Sequence, residues 1–192
     1  MQSRNAGPRA AERGEPSALG SALALESLAG DARNMPPEAF AQKHGNAFLL
    51  FTAKRLDGPE STSSTRLLLD GDEDERAGRT ASLAVVVFPL RPKDAAKGNM
   101  VTLGREARQD VVIPDLSVSR FHAFAKPGPD GALLLQDAGS TNGTTVNGES
   151  VLTAAGGPPK RLKPGDNVRL GHVELTYTDA RALRDYAART AR

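Results

Sequence analysis

Four short islands between residues 103 and 148 carry the side chains that could do chemistry. They are Leu103-Gly104-Arg105, Ser117-Val118-Ser119-Arg120-Phe121-His122, Gly139-Ser140-Thr141-Asn142-Gly143 and Val146-Asn147-Gly148. Each sets small or polar residues beside a short apolar run, and none repeats with helical spacing, so they read as loops at strand ends. Arginine brings planar, permanently charged donors. Serine adds a neutral hydroxyl donor, and an asparagine amide can donate to and accept from a peptide main chain. Arg, Ser and Asn on neighbouring loops suggest a binding face for an anion on an extended peptide.

Other chemistries fit less well. Ser119 and His122 could suggest a hydrolase, but there is no Gly-x-Ser-x-Gly elbow and no Asp placed to orient the histidine, so no catalytic residue is expected. His44, His122 and His172 stand apart from one another and from carboxylate clusters, so no metal site is expected. Asp70, Asp72 and Asp74 alternate as in a calcium loop, yet the glycine and final acid that such a loop needs are replaced by Glu75 and Ala81. No Gly-Lys-Ser/Thr follows a glycine-rich loop, and no cofactor is expected.

Strands must position these loops. From residue 81 onward, short β-rich runs alternate with Gly, Pro, Asp and Asn. Strands are predicted over Ser82–Leu90, Met100–Leu103, Val111–Ile113, Phe121–Lys126, Ala132–Gln136, Thr144–Val146, Val151–Leu152, Val168–Leu170 and Val173–Thr178. Asn147-Gly148 is a strong hairpin signal. The pattern predicts a mainly β chain, a sandwich or barrel over 81–178. Asp179 can cap a last helix with Leu183, Tyr186 and Ala187 on one stripe, within a C-terminal segment 179–192.

The N-terminal third reads differently. Residues 1–34 are expected to be a mostly disordered or weakly helical tail, with a helix from Ser17 that Gly30 would stop. A helix starting near Pro37 and ending at Gly45, followed by the apolar run Ala47–Thr52, predicts a helix-strand extension over 35–56. A lone strand does not stand in water, so this extension should dock on the sandwich. Residues 57–80, rich in Ser/Thr and acids, read as a flexible connector.

With 192 residues, the chain has room for one ordinary domain plus extensions. It has no cysteine and no tryptophan, and a formal net charge of +2. That charge does not call for nucleic acid. No apolar run reaches the roughly 18–20 residues of a spanning helix, and the first 16 residues lack the apolar centre of a signal peptide. A cytoplasmic protein without membrane or nucleic-acid partners is expected.

Gly104-Arg105, Ser119-Arg120-Phe121-His122, Thr141-Asn142-Gly143 and Asn147-Gly148, in this order and at these spacings, resemble the forkhead-associated (FHA) domain, and a bacterial member is expected. The resemblance covers roughly residues 82–178, with Leu162–Gly171 similar to the family's closing strands. It implies an FHA-like sandwich of two antiparallel sheets that binds phosphothreonine peptides on loops at one end. By position, it implies that Arg105 and Ser119 contact the phosphate. Arg120 is grouped with them, although its direction alternates with Ser119 on an extended chain. Asn142 would hydrogen-bond the peptide backbone and Thr141 would border the pocket. Gly104, His122, Gly143, Asn147 and Gly148 would support the site. Some members carry a second basic residue two positions before the serine; here that position is Ser117.

The implied function is a phosphothreonine-peptide-binding module in signal transduction, whose partner is phosphorylated by a Ser/Thr kinase and could include such a kinase. The competing reading is a phospho-independent assembly or scaffold domain. Thr62 or Thr65 of the connector, if phosphorylated, could dock in the same site.

Overall fold

The computed structural model describes residues 22–56, 81–94 and 98–190. The expected disordered tail over 1–16, the Ser17 cap, and the connector with its acidic run, Thr62 and Thr65 lie outside the described residues. In chain order the elements are β1 (Leu23–Ala24), α1 (Leu25–Asn34), α2 (Pro37–His44), β2 (Ala47–Leu56), β3 (Ala81–Pro89), β4 (Val101–Gly104), β5 (Val111–Val112), β6 (Ala123–Pro127), β7 (Leu133–Asp137), β8 (Thr144–Val146), β9 (Glu149–Ser150), β10 (Lys160–Arg161), β11 (Asn167–Leu170), β12 (Val173–Asp179) and α3 (Ala180–Thr190).

The chain is mainly β. One sheet has the order β1-β3-β2-β12-β11-β8-β9 and the other the order β10-β7-β6-β4-β5. Among the described residues all strand pairs are antiparallel except β4 with β5, which run parallel through Leu103–Val111 and Gly104–Val112. The expected pair of antiparallel sheets is corrected to that extent. The parallel match is two residues long, so the short loop 105–110 can close it without a crossover helix.

The sandwich begins before residue 81. Strand β2 is an inner strand, paired with β12 through Leu50–Thr176 and with β3 from Phe48–Pro89 to Leu56–Ala81. Its apolar run is continuous because both of its faces are covered. Leu49 and Phe51 turn toward the core between the sheets, while Phe48 and Leu50 turn toward a second core under the helices. Strand β3 divides the same way, with Val86 and Phe88 in the first core and Val87 in the second. This is the period of two expected of a strand. Phe48 and Val87 are fully buried, and each such side chain contributes about 1.5–3 kcal/mol.

The second core corrects the expectation of a weakly helical tail through residue 34. Helix α1 buries Leu25, Leu28, Ala29 and Ala32, and packs with Phe40, Leu183 and Ala187. Gly30 does not stop it. A mid-helix glycine costs about 1 kcal/mol, less than this buried face contributes. The helix ends instead at Asn34, where Met35 is extended (φ −108°, ψ 142°) before Pro36, as residues preceding proline prefer. In α3, Leu183 and Ala187 are buried but Tyr186 is partly exposed, so Tyr186 leaves the predicted stripe. The Asp179 carboxylate accepts the Ala182 amide at 2.8 Å, the expected cap.

The hairpin at Asn147-Gly148 also differs in register. Both residues have positive φ, 52° and 82°, as a tight two-residue turn demands. That turn pairs Thr145–Val146 with Glu149–Ser150, so Val151 and Leu152 fall beyond the strand. Among the described residues no helix is long and apolar enough to cross a membrane.

Candidate anion-binding site

The site grows from the end of β4. A Cβ on Gly104 would lie 2.4 Å from the Arg120 carbonyl oxygen and 3.0 Å from that of Ser119. Only glycine lets these backbones touch, and the contact is then sewn together. The Arg105 amide donates to Ser119 O at 3.0 Å and the His122 amide to Leu103 O at 2.8 Å. Arg105 is thereby fixed beside Ser119, and its Nε donates to Val118 O at 3.2 Å.

His122 is fully buried and ties three loops. Its Nδ1 accepts the Ser119 amide at 3.0 Å, so Nε2 carries the proton and donates to Gly143 O at 3.1 Å. Burial lowers its pKa; the Gly143 carbonyl and the charge of Asp137 act in the opposite sense without overturning that. The ring is held neutral, as acceptance at Nδ1 requires.

The third island folds around Asp137. Its carboxylate accepts the Gly139 and Ser140 amides at 2.7 and 2.8 Å, and the Ser140 and Thr144 hydroxyls at 2.7 Å each. Burial alone would raise its pKa, but these donors, Thr144 foremost, hold it below the usual carboxylate value. The loop so formed hands Thr141 to Ser119: the Thr141 amide donates to Ser119 Oγ at 3.0 Å, and the two hydroxyls lie 3.4 Å apart. Asn142 Nδ2 donates to Ser117 O at 2.8 Å.

Ser117, where a second cation could have stood, is committed to structure. Its hydroxyl donates to the Asp115 carboxylate and accepts the His172 amide at 2.9 Å. Gly171 passes so close that a Cβ there would meet Ser117 O at 2.4 Å.

An open depression of about 500 Å³ lies over these loops, lined by Arg105, Ser117, Ser119, Arg120, Thr141 and Asn142, with Arg108, Leu116, Val118 and Phe121. The structure therefore brings together Arg105, Ser119, Arg120, Thr141 and Asn142. Gly104, His122 and Gly143 lie behind them. Asn147 and Gly148 do not line the depression; Asn147 holds β11 instead, accepting the Asn167 amide and donating to Asp166, both at 2.9 Å.

Sequence reasoning missed several contributors. Arg108 belongs to no recognisable pattern and reaches the depression only because loop 105–110 folds back. That loop is stapled by Lys93, whose Nζ donates to Ala107 O at 2.9 Å and to Gln109 O, and by Asp110, which accepts the Lys93 and Thr102 amides at 2.6 and 2.8 Å. Asp137 did leave a signal, an Asp two residues before Gly139-Ser140, which is ordinary Asx-turn chemistry.

Residues 101–171 match the family described as FHA domain. The chain is 33% identical over 110 residues to the ABC transporter ATP-binding/permease protein Rv1747 of Mycobacterium tuberculosis, an alignment covering 57% of this chain and 12% of that protein. It is 29% identical over 132 residues to the oxoglutarate dehydrogenase inhibitor of Corynebacterium glutamicum, covering 67% of this chain and 85% of the other. The chain spans 12%, 19% and 18% of the length of three curated relatives: Rv1747 and the mouse and human angiogenic factors with G patch and FHA domains. Among solved structures, the second FHA domain of Rv1747 is 35% identical, with 48% of this chain and 79% of that one covered and a TM-score of 0.37. The matched segment includes β4 through β11 and holds Gly104, Arg105, Ser119, His122 and Asn142. The segment that holds the site, residues 101–171, thus matches the forkhead-associated domain family.

Proposed function

We propose that this chain binds phosphothreonine-containing peptides in the depression over Arg105, Ser119 and Asn142, and so recruits a partner phosphorylated by a Ser/Thr kinase. The observation that carries this reading is the convergence of a guanidinium, a hydroxyl and an amide on one open surface, each fixed by backbone bonds behind it. A phosphate monoester near neutral pH carries about −1.5 to −2 charge and three acceptor oxygens. Arg105 and Arg120 supply charged donors to it. Ser119 Oγ already accepts the Thr141 amide at 3.0 Å, which orients its lone pairs and leaves its proton to donate. The 3.4 Å contact to Thr141 Oγ1 is long and yields readily to a charged acceptor at about 2.5–2.7 Å. Asn142 spends one N–H on Ser117 O, leaving its Oδ1 and a second N–H for the peptide main chain.

The neutral support matters as much as the contacts. His122 stays uncharged, so the phosphate's charge is met by exposed arginines at the rim and not by a buried cation. The similarity to an oxoglutarate dehydrogenase inhibitor and to the glycogen accumulation regulator GarA of Mycolicibacterium smegmatis, at 39% identity over 75 residues, supports a regulatory binding role.

An oriented phosphothreonine-peptide array tests the reading, with Arg105→Ala as control. Each hydrogen bond to a charged group is worth about 1.5–3 kcal/mol, so the variant should lose at least about tenfold in affinity. Equal binding of phosphorylated and unmodified threonine peptides would leave the phospho-independent assembly reading in its place.

A further inference from the structure

Three guanidinium groups line the depression, yet a carboxylate stands beside two of them. Glu106 Oε2 lies 2.6 Å from Arg108 Nε, and Oε1 lies 3.8 Å from Arg120 Nε. The Glu106 side chain is 30% exposed, against 75% for Arg108 and 74% for Arg120. Its backbone is anchored: the Glu106 amide donates to Arg120 O at 3.4 Å and its carbonyl accepts the Gln109 amide at 3.0 Å. A fixed acid beside an anion pocket has the wrong sign for attraction. It must instead be doing something to the arginines.

Resting on the phosphothreonine reading above, we infer that Glu106 is a resident counter-anion that an incoming phosphate displaces, that Arg108 is a phosphate-binding residue released by the exchange, and that the exchange selects a phosphate monoester over a carboxylate. An aspartate or glutamate side chain offered by a partner would replace one singly charged carboxylate with another. Glu106, tethered through its backbone, competes against it at high effective concentration. A phosphate monoester brings up to twice the charge and a third acceptor oxygen. It can therefore satisfy Arg105 and still draw Arg108 away from Glu106. The exchange is easy because exposed ion pairs are weak. Contact through Nε spends one of the five donors on a guanidinium, so Arg108 can turn to phosphate without first crossing the pocket. Arg108 thereby supplies the cation that Ser117 does not.

The test uses the full chain as wild type, Glu106→Gln, Arg108→Ala and the double variant. One peptide from the array is titrated in three forms, with phosphothreonine, glutamate or unmodified threonine at the central position. Thermal unfolding midpoints confirm that each variant is folded. Glutamine keeps the size of Glu106 but releases the arginines. Glu106→Gln is expected to tighten the phosphopeptide by about two- to fivefold and the glutamate peptide by more, so that discrimination between them narrows. Arg108→Ala is expected to weaken the phosphopeptide by about tenfold, and Glu106→Gln should then gain less in the Arg108→Ala background. Weaker phosphopeptide binding by Glu106→Gln would overturn the inference by making Glu106 an orienting group for the arginines. Unchanged affinities in Glu106→Gln or in Arg108→Ala would overturn it too. If the wild-type chain selects phosphothreonine over threonine while Glu106→Gln is silent, only this inference fails. If the wild-type chain does not select, the phosphothreonine reading fails and this inference falls with it.

Discussion

Replacing His122 tests the scaffold behind the proposed contacts. In wild type its fully buried ring accepts the Ser119 amide and donates to Gly143 O. Alanine leaves the Ser119 amide without that partner, whereas Gly143 O keeps a bond from the Gly171 amide at 3.1 Å. One stranded buried donor costs about 1–3 kcal/mol, and the space left by the ring adds a cavity cost. The sum for His122→Ala is on the order of 3 kcal/mol, a large share of a typical 5–15 kcal/mol stability. His122→Asn is the informative companion. Its Oδ1 can stand near the former Nδ1 and keep the Ser119 bond, but the shorter side chain cannot reach Gly143. Stability and phosphopeptide affinity should both fall in the order wild type, Asn, Ala. Urea unfolding followed by far-UV circular dichroism suits a chain without tryptophan, and titration of each folded variant gives affinity. The same ring sets a pH dependence. Burial depresses the folded-state pKa below 6.5, so below about pH 6.5 the unfolded chain binds more protons than the folded one. The His122 contribution to stability is thus present above that pH and is lost as pH falls toward the folded value. A loss below about 1 kcal/mol for His122→Ala, or an imidazole protonated at Nδ1 near neutral pH by nitrogen NMR, would refute this reasoning.

Two further substitutions probe how the islands are joined. Gly104→Ala places a Cβ 2.4 Å from Arg120 O, so the 104–105 and 119–120 backbones must separate. A cost of about 1–3 kcal/mol is expected from overpacking, with weaker phosphopeptide binding, measured by urea unfolding and titration. Asp137→Ala removes the acceptor of four hydrogen bonds around residues 139–144, and should cost about 3 kcal/mol and loosen Thr141 and Asn142. Because the Asp137 pKa is depressed in the folded state, its contribution is present above its ordinary value near 3.8 and is lost as pH falls through the lower folded value. An acid titration of stability for wild type against Asp137→Ala reads this directly.

The parts of the fold that were legible in the sequence are those where one residue type meets one backbone demand. Gly104 must be glycine because a carbonyl occupies the Cβ position, and Asn147-Gly148 stands where both φ angles are positive. The alternation of short β runs showed the sandwich for a similar reason, since each strand's burial is periodic within a few residues. What was not legible depends on distant parts of the chain. The apolar run of β2 signalled a strand but not its seat between β3 and β12, since its pairing with β12 spans more than a hundred residues. Gly30 looked like a helix stop by local propensity, and the buried face of α1 against α3 overrode it. Val151 and Leu152 have strand-forming side chains, but the turn at 147–148 set the register two residues earlier. In the site, Arg105, Ser119 and Asn142 carried a readable pattern. Arg108 did not, because its place is decided by how Lys93 and Asp110 fold loop 105–110.

The measurement that bears most directly on the phosphothreonine reading is amide chemical-shift mapping of the full chain, with one peptide in phosphothreonine and unmodified threonine forms. Perturbations confined to Arg105, Ser119, Thr141, Asn142 and their loops, seen with the phosphorylated peptide and lost in Arg105→Ala, are the expected result. Equal perturbation by both peptides, or shifts concentrated on α1, α2 and α3 instead, would contradict it.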